Sequence, residues 1–104
     1  MIIYVDIDGT ICTKVKDGQY DKATPLKDQI AIVNRLYDKG HVIIYWTARG
    51  TETGINWTGV TTRQLEEWGA KYHSVSFKKP TYDLFICDKA VNAASLKHLK
   101  EGGL

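Results

Sequence analysis

Met1-Ile2-Ile3-Tyr4-Val5-Asp6-Ile7-Asp8-Gly9-Thr10 decides how this chain is read. A short apolar run rich in β-branched residues leads straight into two aspartates spaced one apart, then Gly-Thr. Such a run predicts a buried parallel strand. In a strand, residues 6 and 8 share a face, and both fall near the carboxyl end, where open α/β sheets bind ligands. Gly9 marks a sharp turn at which backbone can approach a ligand closely. Two carboxylates so placed suit phosphoryl chemistry: one attacks phosphorus while the other gives a proton to the leaving oxygen. An Asp-Gly turn with solubilising acids is the plainer explanation, and the apolar run entering it favours a site.

Outward from this stretch, residues 11–22 hold Asp17-Gly18, which predicts a tight turn in a small flap or hairpin. Thr24 suits a helix N-cap and Pro25 the first helical position. Leu26, Ile30, Val33 and Tyr37 then recur at helical spacing, with Ile32 and Leu36 widening the stripe, until Lys39-Gly40 ends it. His41 to Trp46 reads as a second buried strand delivering Thr47-Ala48-Arg49-Gly50 to its end. Residues 51–59 read as a loop, and Thr61-x-x-Gln64 matches a capping box for a helix stopped by Gly69. Tyr72 to Phe77 and Asp83 to Cys87 read as a third and fourth strand. Asn92 would cap a final helix carrying Ala93, Leu96 and Leu99 and ending at Gly102-Gly103.

This order, βαβαββα, predicts an α/β fold, a Rossmann-like three-layer α/β/α sandwich with a mainly parallel sheet. One tension stands in it. Parallel neighbours need a crossover of a dozen or more residues, yet only residues 78–82 separate the last two strands.

A chain of 104 residues predicts one domain over 1–104, with a modest core. It is 43% hydrophobic and 25% charged, with a net charge of +2, which argues against disorder and against a dedicated nucleic-acid binder. Two cysteines are too few for a disulfide framework, and Asp6 follows too soon for a secretory signal. No apolar run approaches the ~20 residues of a membrane span. A cytoplasmic protein without a membrane partner is expected.

Asp6-Ile-Asp8-Gly-Thr10, Thr47-Ala-Arg-Gly50, Lys79-Pro80 and Asp88-Lys-Ala90, in this order, resemble the haloacid-dehalogenase superfamily of phosphohydrolases. Within it the chain is similar to small capless members described as capsule or lipopolysaccharide biosynthesis phosphatases. The inserts after Gly9 and after Thr47 are too short for a cap domain. The resemblance implies a Mg²⁺-dependent phosphomonoesterase acting through an aspartyl-phosphate on Asp6, with Asp8 as general acid and base. It also implies a substrate of the sugar-phosphate type and the Asp8 main-chain carbonyl on the metal.

Phosphoryl transfer demands in-line positioning and neutralisation of spreading charge. Gly9, Thr10, Thr47, Ala48 and Lys79 form the expected phosphate-binding set. Lys78 competes with Lys79, and Pro80 tips the choice because relatives place the lysine directly before proline. Arg49 and Trp57 are expected at the substrate, with a solvated loop cation and a core ring as the plainer readings. Asp6 and Asp88 by their carboxylates, and Asp8 by the main-chain carbonyl that the resemblance implies, are the expected Mg²⁺ ligands, a set sufficient for an ion that prefers oxygen and keeps several waters. Here relatives carry two adjacent acids, whereas this chain has Cys87-Asp88.

Two alternatives remain beside the small-metabolite phosphatase. One is a nucleic-acid end phosphatase, disfavoured by the near-neutral charge. The other is a degenerate binding or structural protein. A homo-oligomer is left open.

Overall fold

The computed structural model describes residues 1–98. Strand β1 (Ile2–Asp6), helix α1 (Lys27–Asp38), strand β2 (Val42–Trp46), helix α2 (Thr58–Glu67) and strand β3 (Ser74–Ser76) follow in order. Two 3₁₀ turns, Tyr20–Lys22 and Ala93–Ser95, flank this unit. The sheet runs β1-β2-β3 and both ladders are parallel, with Asp6 opposite Trp46 and Trp46 opposite Ser76. Helical crossovers are what permit parallel neighbours. The result is a Rossmann-like α/β fold with no cap.

Alternation along the strands sorts their side chains. Val5, Ile43 and Tyr45 are buried on one face, against Ile30, Val33 and Leu36 of α1 and Leu65 of α2. Ile43 and Leu65 have no exposed surface, and such burial stabilises by about 2 kcal/mol per side chain. Ile2 and Tyr4 point to the opposite face and are exposed. Among the described residues both helices therefore cover one side of the sheet. The shortest molecular dimension, 21 Å, matches one sheet and one helix layer.

Helix α1 buries the expected stripe of Ile30, Ile32, Val33 and Leu36. Its start differs: the N-cap is Leu26, not Thr24. Thr24 is instead bound to the loop after β1, its carbonyl accepting from the Thr13 amide at 2.9 Å and its own amide donating to Thr13 Oγ1 at 3.0 Å. Both helices end as anticipated. Gly40 and Gly69 take positive φ (96° and 69°), and the next amide in each case returns to the helix, His41 to Leu36 and Ala70 to Leu65. That closes each helix with a six-to-one hydrogen bond.

The fourth strand is a correction. Residues 83–87 form no ladder, and Leu84 and Ile86 are 77% and 88% exposed. The short connection after β3 leaves no length for a parallel crossover. The hairpin expected within 11–22 reduces to its turn, with positive φ at Asp17 and Gly18 and a bond from the Gln19 amide to the Lys16 carbonyl. The final helix is represented by its capped first turn, where Asn92 Oδ1 accepts from the Ala94 amide. Its expected continuation through Leu99 to Gly102-Gly103 lies outside the described residues. No described helix is long and apolar enough to cross a membrane.

Candidate active site

The carboxyl ends of β1 and β2 open onto a cavity of about 470 Å³, lined by Asp6, Asp8, Thr47, Ala48, Arg49 and Lys79 together with Tyr20 and residues 80–83. Parallel neighbours with Asp6 and Trp46 in register bring both motif-bearing loops to one end of the sheet. This is the position where open parallel sheets take ligands.

Asp6 ends β1 with its side chain 37% exposed, and its Oδ1 lies 3.0 Å from Lys79 Nζ. Lys79 is held in place by backbone: its amide donates to the Thr47 carbonyl at 3.3 Å, and its carbonyl accepts from Thr51 Oγ1 at 3.1 Å. Burial works against its charge, but the hydrogen bond and charge of Asp6, then those of Tyr82, prevail and raise its pKa above the ordinary lysine value. Lys78 is exposed. The structure thus puts Lys79, not Lys78, at Asp6.

Asp8 meets Arg49. The guanidinium donates from Nε to Asp8 Oδ2 at 3.0 Å and from Nη2 to Oδ1 at 2.9 Å, a two-pronged contact. Its Nη1 donates to Thr61 Oγ1 at 2.9 Å and to Gln64 Oε1 at 2.7 Å. The Arg49 side chain has no exposed surface. A guanidinium whose protons are all directed into protein is not placed to grip a substrate. Arg49, expected at the substrate, is a positioning group for Asp8.

Thr47 is buried, and its Oγ1 accepts the Arg49 amide at 3.1 Å. Accepting that bond leaves the hydroxyl proton free to be donated toward the cavity. Ala48 lines the cavity as expected.

Gly9 and Thr10, expected to bind phosphate, are turned away from the cavity. Neither lines the cavity, and their amides are committed, to the Cys12 carbonyl at 2.8 Å and the Ile7 carbonyl at 3.1 Å. The tight loop uses these donors to close on itself. Trp57 is a second correction, since its ring packs edge-on against Tyr20, with centroids 5.1 Å apart, rather than lining the cavity. Asp88 is a third. It lies exposed on the unpaired segment and does not line the cavity. Among the described residues no group of three His, Cys, Asp or Glu side chains is gathered to hold a metal.

Sequence reasoning missed several residues. Tyr20 lines the cavity with its ring over Arg49, 4.8 Å from the guanidinium carbon, while its carbonyl accepts from Gln64 Nε2 at 2.7 Å. Burial, then the Asp8 charge, raises the Tyr20 pKa. Tyr82 lines the other side, 5.4 Å from Lys79 Nζ. Thr61 and Gln64 were legible only as a capping box, yet α2 begins at Thr58 and both side chains serve Arg49. Cys12 is buried beside Asp8, its Sγ 3.5 Å from Oδ1, and burial, then the Asp8 charge, pushes its pKa up to about 12.

The donor set admits a cation only loosely. Asp8 spends both side-chain oxygens on Arg49, which leaves Asp6 and Asp83 as the cavity-lining carboxylates not engaged by it. Magnesium is commonly held by one or two carboxylates plus substrate phosphate and water, so Asp6 fits that mode, whereas Asp88, exposed and outside the cavity lining, does not join it there.

No protein-family model and no curated protein matches this chain. The crystal structure of a target protein from Vibrio cholerae is similar to it, with a TM-score of 0.83 and 24% identity over 92% of this chain and 87% of that one. At this identity the likeness shows a shared α/β fold.

Proposed function

We propose that this chain is a phosphomonoesterase that works through Asp6. The observation that carries the reading is the Asp6–Lys79 pair, 3.0 Å apart in a cavity that Thr47 and Ala48 also line. An oxygen of Asp6 attacks phosphorus, the ester oxygen leaves, and water then releases phosphate from the aspartyl-phosphate. Lys79 and the Thr47 hydroxyl would meet the charge that spreads over the phosphoryl oxygens. Asp8 is assigned the leaving-group proton, and delivering it requires one prong of the Arg49 contact to open. Mg²⁺, held by Asp6 and the substrate phosphate, would supply further neutralisation of that charge.

The substrate assigned is a small phosphate ester of the sugar-phosphate type, which suits an uncapped cavity of about 470 Å³. Two unpaired cysteines, Cys12 and Cys87, favour a reducing, cytoplasmic setting. A phosphate-binding module without turnover is the second reading, and the exposed position of Asp88 favours it.

An aryl phosphate assay with and without Mg²⁺, run on purified wild type and Asp6→Asn, decides. Hydrolysis that chelation suppresses and Asp6→Asn lowers on the order of a thousandfold or more is expected. Equal rates in the two proteins would remove Asp6 from the chemistry. Phosphate binding without any hydrolysis would leave the binding module.

A further inference from the structure

The sheet face opposite the helices and the segment after the cavity both expose apolar side chains, and they adjoin at Lys79. Tyr4 meets Trp46 edge-on with centroids 5.6 Å apart, and Lys79 Nζ lies 5.6 Å from the Trp46 ring and 5.4 Å from that of Tyr82. Tyr82 in turn meets Phe85 at 5.5 Å. Two aromatic pairs, Tyr4–Trp46 on the sheet and Tyr82–Phe85 on the unpaired segment, are therefore bridged by the Lys79 ammonium into one row. Along it Ile2, Tyr4, Tyr82, Leu84, Phe85 and Ile86 are between 48% and 88% exposed.

Parallel sheets are buried on both faces, because crossover helices or partners cover them. Here the described helices cover one. At about 200 Å² for a fully exposed large residue, the six leave roughly 800 Å² in water, most of it apolar. Monomers seldom tolerate that, their largest patches running to about 300–600 Å². It equals the area of about 800 Å² that each partner contributes to a standard interface. A net charge of +2 offers little repulsion between copies.

We infer that this face docks a second copy of the chain, patch against patch, about a two-fold axis. An isologous contact fits because one self-complementary apolar surface serves both sides. Tyr82 lines the cavity as well as the row, so the dimer seam runs beside the candidate active site. Asp83 also lines that cavity, just before the most exposed apolar residues.

Sedimentation across a concentration series tests this, with wild type compared with the double variant Phe85→Asp and Ile86→Asp. Both residues sit outside every helix and strand, so the variant should keep the wild-type circular dichroism spectrum. A wild-type dimer at micromolar concentration is expected, weakened at least about a hundredfold in the variant. Tyr4→Glu is the second probe on the sheet side of the row and should act the same way. A wild type that stays monomeric to hundreds of micromolar would overturn the proposal, as would a dimer that neither change weakens.

Discussion

Lys79 and Lys78 are neighbours with opposite surroundings. The Lys79 side chain, 12% exposed, meets Asp6 through its ammonium, whereas Lys78 is exposed and engages through its amide, which donates to Ser76 Oγ at 3.4 Å. Adjacent residues of an extended segment point to opposite sides, so only one of them can serve the cavity. Lys79→Ala should lower kcat/KM on an aryl phosphate by about a hundredfold or more, the scale seen when a donor to a charged transition state is removed. It should also weaken inhibition by inorganic phosphate. Lys78→Ala should leave both within about twofold. Comparable effects from the two changes would mean that neither lysine faces the phosphoryl group.

Between elements, the Arg49 guanidinium is the fastener. It joins the loop after β2 to Asp8 after β1 and to Thr61 and Gln64 on α2, while Gln64 reaches on to the Tyr20 carbonyl. Arg49→Met would keep most of the side-chain volume and leave Asp8 without its partner. Breaking a buried pair costs about 3–5 kcal/mol, and Asp8 keeps 21% of its surface in water, so about 2–3 kcal/mol is the expectation in urea denaturation. Asp8→Asn added to Arg49→Met should cost much less than the sum of the two single changes. Additive costs would show that the contact does not couple the elements. This fastener was not legible in the sequence, where an arginine after a strand reads as a substrate contact or a solvated cation and its partners lie 41, 12 and 15 residues away. Thr61 and Gln64 misled because a capping box and one face of a helix share the same i, i+3 spacing. Strands β1 and β2 and helix α1 were legible because their apolar periods are strong and their ends are marked by Asp6, Thr47 and Gly40. Lys79 was legible through Pro80. The segment 83–87 carries a strand's composition, but composition says nothing of whether an edge lies within reach.

For the whole molecule, alkaline pH is where stability should give way. Cys12 is fully buried, and its pKa rises from 9.0 to about 12. The folded chain then keeps this proton after the unfolded chain has released it. A raised folded pKa gives stability that is complete below the unfolded value and lost as pH climbs through the folded one. Burial raises the Tyr45 and Tyr20 pKa values above 10.0, and the Asp6 pairing raises that of Lys79 above 10.5, so all four groups act in the same direction. Their onsets differ. Between pH 9 and 10 Cys12 is the main contributor, and one proton gives a slope approaching about 1.4 kcal/mol per pH unit. Urea midpoints of wild type should be level from pH 7 to 8.5 and fall beyond it. Cys12→Ala should start from lower stability, because it leaves a small cavity, yet hold its level to about pH 10 before Tyr20, Tyr45 and Lys79 take over. A thiol reagent gives an independent reading: Cys87, exposed, should react in native protein, and Cys12 only after denaturation. Parallel wild-type and Cys12→Ala profiles through pH 9–10 would show that the buried thiol does not govern the alkaline limit.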